Sequence, residues 1–204
     1  MKTITPVGCH IDLASLIADL RLGSWSKNLK DTDKILQLFY HECAAAGTVC
    51  PLHANSSSLV QRRLEDILTS LKANPLPVLD ETAASYAVID YSMVKTDLFR
   101  ALYKPFTELT QYAHVLAALE QGDGLAALTY WQRFHKQPKC NPKKLPISSG
   151  VPEAGAAIRC GEGQGASVDF DDLVLQFNKL SEISMFADVW IDTTRAECAW
   201  VFFL

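Results

Sequence analysis

Two histidines and two cysteines lie within one short stretch, where they could hold a metal ion. His41, Cys43, Cys50 and His53 offer two imidazoles and two thiolates, a ligand set that tetrahedral zinc accepts. However, the spacing H-x-C followed by C-x-x-H is not that of a common zinc finger. The two cysteines could instead form a disulfide that joins the end of a helix to the turn after it. These residues alone leave both interpretations open.

A hydrolytic triad would need a serine that a sharp turn exposes to a histidine base, and the sequence contains no G-x-S-x-G motif of that kind. His114 falls beside an apolar stripe and His135 near a helix end, so both are predicted to be structural or surface residues. The glycines from Gly161 to Gly165 lack the G-K-[ST] ending of a phosphate loop. We therefore predict no catalytic residue and no cofactor in this chain.

Composition excludes several classes of protein. The chain has 204 residues, 49% of them hydrophobic and 21% charged, with a formal net charge of −4, which is typical of a globular protein. Its 19 Lys and Arg residues are scattered and lack interleaved aromatic residues, so no nucleic-acid partner is expected. No apolar run approaches the ~18 residues that a membrane span requires. Pro6 and charged residues interrupt the start of the chain, which shows no clear signal peptide and leaves its localisation open.

Apolar residues recur at spacings of three and four, which predicts a mainly helical fold with at most one or two short strands. The first clear helix is predicted to begin at Asp31 and to end at Gly47. Its predicted apolar face consists of Ile35, Leu38, Phe39 and Cys43. The next helix should begin with a Ser58–Gln61 capping box and end at Asn74, before two prolines. Its predicted face consists of Val60, Leu64, Ile67, Leu68 and Leu71.

Further elements follow along the chain. Residues 86–89 could be extended, and a helix is predicted over about Ser92–Tyr103. Another should begin at Pro105, with Phe106, Leu109, Tyr112 or Ala113, Leu116 and Leu119 inward. A short strand is predicted over Ala156–Cys160. The last helix should begin near Asp169, with Phe170, Leu173, Val174, Phe177 and Leu180 inward.

Several sequence blocks, taken in order, resemble the tripeptidyl-aminopeptidase-like serine α/β-hydrolases, especially the fungal members of that group. The blocks are Trp25–Lys34, His41–Gly47, Cys50–Leu52, Pro75–Val78, Asp90–Ser92, Phe99–Phe106, Ala118–Gly124, Ala156–Cys160 and Arg195–Trp200. In the family these blocks resemble the helical cap over the catalytic domain. The nucleophile elbow would precede this region, and the acid and histidine of the triad would follow it.

The resemblance implies a domain division and favours a disulfide over zinc. We expect a poorly defined N-terminal segment at 1–22, a helical cap at 23–136, a Pro-rich linker at 137–155, and a strand and helix at 156–204. The resemblance favours a Cys43–Cys50 bridge and suggests a second between Cys160 and Cys198, so no metal ligand is expected. It also makes the large cap residues candidates for facing a substrate: Tyr91, Phe99, Tyr103, Phe106, Tyr112 and Trp131. The apolar core of the cap accounts for most of these equally well.

The resulting expectation is a fragment of a serine hydrolase, from a truncated or split gene, that carries the substrate-gating cap and is inactive alone. In the family, the substrates would be peptides or small esters and the proteins are typically secreted. An alternative is a free-standing helical binding or effector module derived from the cap. A zinc module is the third interpretation.

Overall fold

The computed structural model describes residues 25–82, 85–135, 154–155, 158 and 169–191. It confirms the predicted mainly helical fold, with one small sheet. The elements in chain order are a 3₁₀ helix at Ser26–Leu29, α1 at Thr32–Ala45, a 3₁₀ turn at Gly47–Val49, α2 at Ser57–Ala73, β1 at Leu76–Asp80, β2 at Ser85–Ile89, α3 at Tyr91–Ala101, a π-helical turn at Pro105–Leu109, α4 at Thr110–Glu120, α5 at Leu125–Gln132, α6 at Phe170–Ser181 and α7 at Ala187–Ile191.

The chain divides into two compact units. One unit, called the helical body below, consists of Asp31–Ile147 together with the segment Ser184–Val189. The second unit consists of Met1–Lys30, Ser148–Ile183 and Trp190–Leu204. Within the part of the chain that the structure describes, no helix is both long and apolar enough to span a lipid bilayer.

The buried face of helix α1 is rotated from the predicted one and shares only Cys43 with it. Leu36, Tyr40 and Cys43 are buried, whereas Leu38 is 50% exposed. The prediction failed because α1 carries apolar residues on two adjacent faces, and periodicity alone does not say which face another element covers. The partner is α2, whose predicted stripe from Val60 to Leu71 is confirmed as buried.

The first turn of α2 is capped by Ser56 rather than by the predicted Ser58. The side chain of Ser56 accepts a hydrogen bond from the backbone N–H of Leu59, at 3.3 Å. Its extended backbone is the usual conformation of a capping residue, whereas Ser58 is already inside the helix. The helix ends at Ala73, as the following prolines predicted.

Strands β1 and β2 form an antiparallel hairpin in which Val78 is paired with Ala87. The extended residues at 86–89 are confirmed, but β1 was not predicted because Pro77 lies inside it. One face of the hairpin approaches Gly124 closely. A Cβ atom at Gly124 would lie 2.3 Å from Val78 Cγ2, so only glycine permits this contact before α5.

Helices α3, α4 and α5 complete the body around the ring of Tyr112, which is 1% exposed. The Tyr112 hydroxyl donates to the backbone carbonyl of Val94 at 2.7 Å, and the ring contacts that of Tyr130. Phe106 was predicted to join this core but is 86% exposed. It lies in a π-helical turn, where the wider backbone shifts the 3.6-residue spacing on which the prediction depended.

In the second unit, α6 begins after Asp169, which caps it as predicted by accepting from the Asp171 N–H. The predicted inward stripe is wrong at Phe170, which is 74% exposed; of its residues only Leu180 is buried. The amphipathic pattern identified the apolar face but not how much of it is covered. Ile158 is helical rather than extended, in an alanine-rich stretch that favours helix. The other residues of that predicted strand lie outside the described ranges.

Candidate functional site

A disulfide joins Cys43, at the end of α1, to Cys50, just after the Gly47–Val49 turn. The two Cα atoms are 5.3 Å apart. Because both thiols are used in this bond, neither is a thiolate that could bind zinc. Among the described residues, no group of three or more His, Cys, Asp or Glu side chains is placed to hold a metal ion. Cys160 and Cys198, the second suggested pair, lie outside the described ranges.

The two neighbouring histidines do not converge on the disulfide as ligands. His41 is exposed, and its Nδ1 lies 3.3 Å from a carboxylate oxygen of Glu42. His53 is half-buried, and its carbonyl oxygen accepts a hydrogen bond from Arg63 Nη1 at 2.6 Å. The ion pair between Arg63 and Glu120 lowers the pKa of Glu120, chiefly through hydrogen bonding. These contacts tie the turn after the disulfide to α2.

An open apolar groove runs along α1 on the face that α2 leaves uncovered. Its larger part has a volume of about 350 Å³ and is lined by Ile35, Leu38, Phe39, Glu42, Pro105, Phe106, Leu109 and Thr110. A smaller part, of about 160 Å³, is lined by Phe39, Glu42, Cys43, Ala46, Val49, Cys50, Pro51, Thr110 and Ala113. The two parts share Phe39, Glu42 and Thr110, and we call them together the groove.

The π-helical turn shapes the wall of the groove opposite α1. Pro105 has no N–H to donate, so the first bonds of the turn come from the Thr107 and Glu108 amides, which both donate to the Lys104 carbonyl. The Thr110 hydroxyl donates to the Phe106 carbonyl at 3.2 Å. This backbone holds the Phe106 ring out of the core and beside Leu38 and Phe39 of α1. The larger part of the groove is therefore formed by one face of α1 and one irregular turn.

The described lining of the groove is mainly apolar. Glu42 is the one charged side chain among the described residues that line it. Among the described residues of the lining there is no serine, histidine or free thiol, and Glu42 and Thr110 supply its polar side-chain groups. An apolar side chain or a short acyl group could enter, with Glu42 at the boundary between the two parts.

A separate cluster of polar contacts fastens the segment Ser184–Val189, called the strap below, to the helical body. At one end, Asp33 Oδ1 accepts from the Ser184 hydroxyl at 2.8 Å and from the Met185 N–H at 3.1 Å. The buried Ser184 and Thr32 hydroxyls are 2.6 Å apart. These contacts explain why Asp33, in the first turn of α1, is only half exposed.

At the other end of the strap, Asp188 meets α3. Its Oδ2 accepts from Lys95 Nζ at 2.9 Å and from the Tyr91 hydroxyl at 2.6 Å. Burial raises the pKa of Asp188, but the hydrogen bonds from Tyr91 and Lys95 outweigh it, and the pKa is lowered overall. Between the two ends, the Phe186 ring is fully buried against Phe99. The strap is thus held by one apolar anchor and two polar ends.

Asp97 of α3 is a buried carboxyl whose side chain is only 4% exposed. Its Oδ1 accepts from Arg100 Nη1 at 2.8 Å. Burial raises the pKa of Asp97 to about 6, against the opposing effect of Arg100. The phenol of Tyr112, buried nearby, has its pKa raised by burial and then by the charge of Asp97. No pattern in the sequence marked Asp97 as buried.

The six candidate substrate-facing residues occupy five different settings. Tyr112 is in the core, and Tyr91 and Phe99 contact the strap. Trp131 is half-buried and its ring stacks on His135, with centroids 4.3 Å apart. Tyr103 is 73% exposed but does not line the groove. Phe106 alone of the six lines the groove.

The histidines considered for catalysis are both on the surface. His114 is exposed on α4, and His135 follows α5 beside Arg100. Burial and the positive charge of Arg100 lower the pKa of His135. Within the described residues, neither histidine is hydrogen-bonded to a serine. No protein-family model, curated protein or solved structure matches this chain.

Proposed function

We propose that this chain is the cap-bearing part of a tripeptidyl-aminopeptidase-like serine hydrolase, and that its groove receives the apolar part of a peptide or small ester. Under this proposal, the catalytic serine comes from another stretch of polypeptide. The reaction in the full enzyme would be acyl transfer to water through a serine acyl-enzyme. This chain alone would bind without cleaving.

The observation that carries the proposal is the open groove itself. A cap must leave an accessible apolar surface where substrate enters, and Phe106 and Leu38 are 86% and 50% exposed beside a volume of about 350 Å³. The order of the sequence blocks from Trp25 to Trp200 supports the family. The Cys43–Cys50 bridge, which forms part of one wall, lies within two of those blocks.

Binding to the groove is tested by titrating an apolar tripeptide, Leu-Phe-Leu, into the ¹⁵N-labelled protein and recording amide spectra. We expect the shifted amides to lie along α1 and the Pro105–Leu109 turn. Replacing Phe106→Ala removes an exposed ring from the wall and should weaken binding about 10-fold, which is about 1.4 kcal/mol. Tyr103→Ala, which removes another largely exposed aromatic ring outside the groove, is the matched control and should leave binding unchanged.

Two results would contradict the proposed role of the groove. One is that the peptide shifts no amide along the groove at millimolar concentration. The other is that Phe106→Ala and Tyr103→Ala weaken binding equally, which would indicate nonspecific adhesion to exposed aromatic rings.

A free-standing helical binding module is the second candidate, and one observation favours it. The helical body has its own core, in which Leu64, Leu98 and Leu116 are each fully buried. An independent module requires such a core. Sequencing the native transcript separates the two candidates. A G-x-S-x-G frame upstream and an Asp/His frame downstream, both in phase, would support the cap of a hydrolase; their absence would favour the module.

A further inference from the structure

The β1–β2 hairpin has two apolar faces, of which only one is packed. On the packed face, Leu76 and Val78 lie against the position of Gly124. On the other face, the pairs Pro77–Val88 and Leu79–Tyr86 point away from the body. Tyr86 is 84% exposed, Leu79 65% and Val88 58%. A hairpin that faced only water would alternate apolar and polar residues, so its outer surface is suited to a protein contact.

The two strands differ in their fitness to accept another strand. Pro77 lies within β1 and lacks the N–H that a ladder requires, a common way of protecting an edge strand. In contrast, β2 reads Ser-Tyr-Ala-Val-Ile, with no proline and no charge, and three of its residues are strong strand formers. The free edge of β2 has no strand partner in the part of the chain that the structure describes. Of the two described strands, β2 is therefore the one whose edge no proline protects.

We propose that β2 pairs in antiparallel fashion with β2 of a second copy of this chain, about a two-fold axis at Ala87. This register pairs all five residues of the strand, whereas an axis at Tyr86 or at Val88 pairs only three. It places Tyr86 opposite the partner's Val88 on the exposed face, and the symmetry repeats that pair. Aromatic side chains opposite β-branched ones stabilise antiparallel strands. The contact is closed and uses the same surface on both copies.

The contact is small for a specific interface. A five-residue strand pair with its exposed side chains buries on the order of 500 Å² per copy, near the ~1,000 Å² total at which specific interfaces begin. The four-stranded sheet that results is also more stable than a two-stranded one. The dimer should therefore be weak and concentration-dependent, with a micromolar dissociation constant. This inference does not depend on the proposed hydrolase cap.

Sedimentation velocity tests the dimer from about 1 to about 200 µM protein, because mass action converts a weak dimer over such a range. We expect the weight-average mass to rise from 22.5 kDa toward twice that value. Tyr86→Lys places a charge at the contact between the two β2 strands and should weaken dimerisation at least ~10-fold. Leu79→Lys is the matched control. Leu79 lies on the same face of the hairpin but on β1, one strand away from the contact, so its replacement should change the dissociation constant less than ~3-fold.

Each outcome bears on the proposal. A monomer at every concentration overturns it, as does a dimer that both variants weaken equally or that neither variant weakens. A second measurement on the unmodified protein covers the case in which a variant misfolds. Hydrogen exchange of β2 amides should slow as the concentration rises, while exchange of β1 amides should not. Slowing in both strands, or in neither, would also overturn edge pairing.

Discussion

Helix α1 has two adjacent apolar faces with different surroundings. The face with Leu36 and Tyr40 packs in the core, and these side chains are 1% and 2% exposed. The face with Leu38 and Phe39 forms one wall of the groove. Both faces are apolar and obey helical spacing, so hydrophobic pattern alone does not separate a structural face from a binding face. The covered face should carry stability, and the open one should carry recognition.

The largest loss of stability is expected where leucine is replaced by alanine on the buried face of α1. The same replacement on the open face should have little effect. Leu36→Ala removes a buried side chain and should lower the free energy of unfolding by about 2–5 kcal/mol, because it leaves a cavity. Leu38→Ala, two residues away on the open face, should cost less than about 1 kcal/mol. Urea denaturation followed by circular dichroism measures both. Equal losses would erase the distinction between the two faces.

The same comparison extends to charged contacts. Lys95 is 8% exposed beside Asp188, whereas Lys34 is 76% exposed beside Asp31. Lys95→Met leaves Asp188 without its cation and should cost about 1–3 kcal/mol, less than for a fully buried pair because the Asp188 side chain is 33% exposed and keeps the Tyr91 hydrogen bond. Lys34→Met should cost less than about 0.5 kcal/mol. The urea midpoints of the two variants measure these losses. An unchanged midpoint for Lys95→Met would mean that the strap is held mainly by Phe186.

Buried Asp97 should produce a pH dependence that exposed carboxyls do not. Its pKa is about 6 in the folded protein against 3.8 for the free group, so the folded state binds the proton more tightly. Stability contributed by that proton is present below about pH 4 and is lost as the pH rises through 6, amounting to at most about 3 kcal/mol.

The measurement is the difference in unfolding free energy between the native protein and Asp97→Asn at several pH values. From pH 4 to pH 7 the native protein should lose about 2–3 kcal/mol relative to the variant. Asp66→Asn, at an exposed position on α2, is the control. A difference that stays constant with pH, or that changes in the opposite direction, would contradict the assigned burial of Asp97.

The disulfide lies between the buried face and the open face of α1. Cys43 is buried, and the bridge also lines the groove. It closes a loop with a sequence separation of 7. Replacing both cysteines with alanine should lower the free energy of unfolding by about 2.5 kcal/mol, through the added entropy of the unfolded chain. Peptide binding to the groove should weaken as well. Unchanged stability and binding would show that the bridge supports neither face.

The sequence predicted most of the helices because their starts and ends are encoded locally. Asp169 caps α6, prolines follow α2, and the stripe from Val60 to Leu71 has a single apolar face. Helix α2 has a single apolar stripe, so only one face could be predicted as buried, and that prediction was confirmed. The mainly helical fold follows from these local signals.

The features that sequence could not predict depend on tertiary contacts. The sequence indicates two apolar faces on α1 but not which one α2 covers. Phe106 follows helical spacing, yet a π-helical turn places it outside the core. Strand β1 contains a proline, and its packing depends on close approach to Gly124. The strap joins Asp33 to Ser184 across most of the chain, a pairing that no local pattern marks.

Under the proposed function, this chain binds substrate but does not supply the catalytic serine, and covalent labelling of serine distinguishes these two roles. The purified protein is incubated with a fluorophosphonate, and its intact mass is measured beside that of an active serine hydrolase. We expect an unmodified mass for this chain, while the control enzyme is fully labelled. Stoichiometric labelling of one serine, abolished by denaturation, would contradict it.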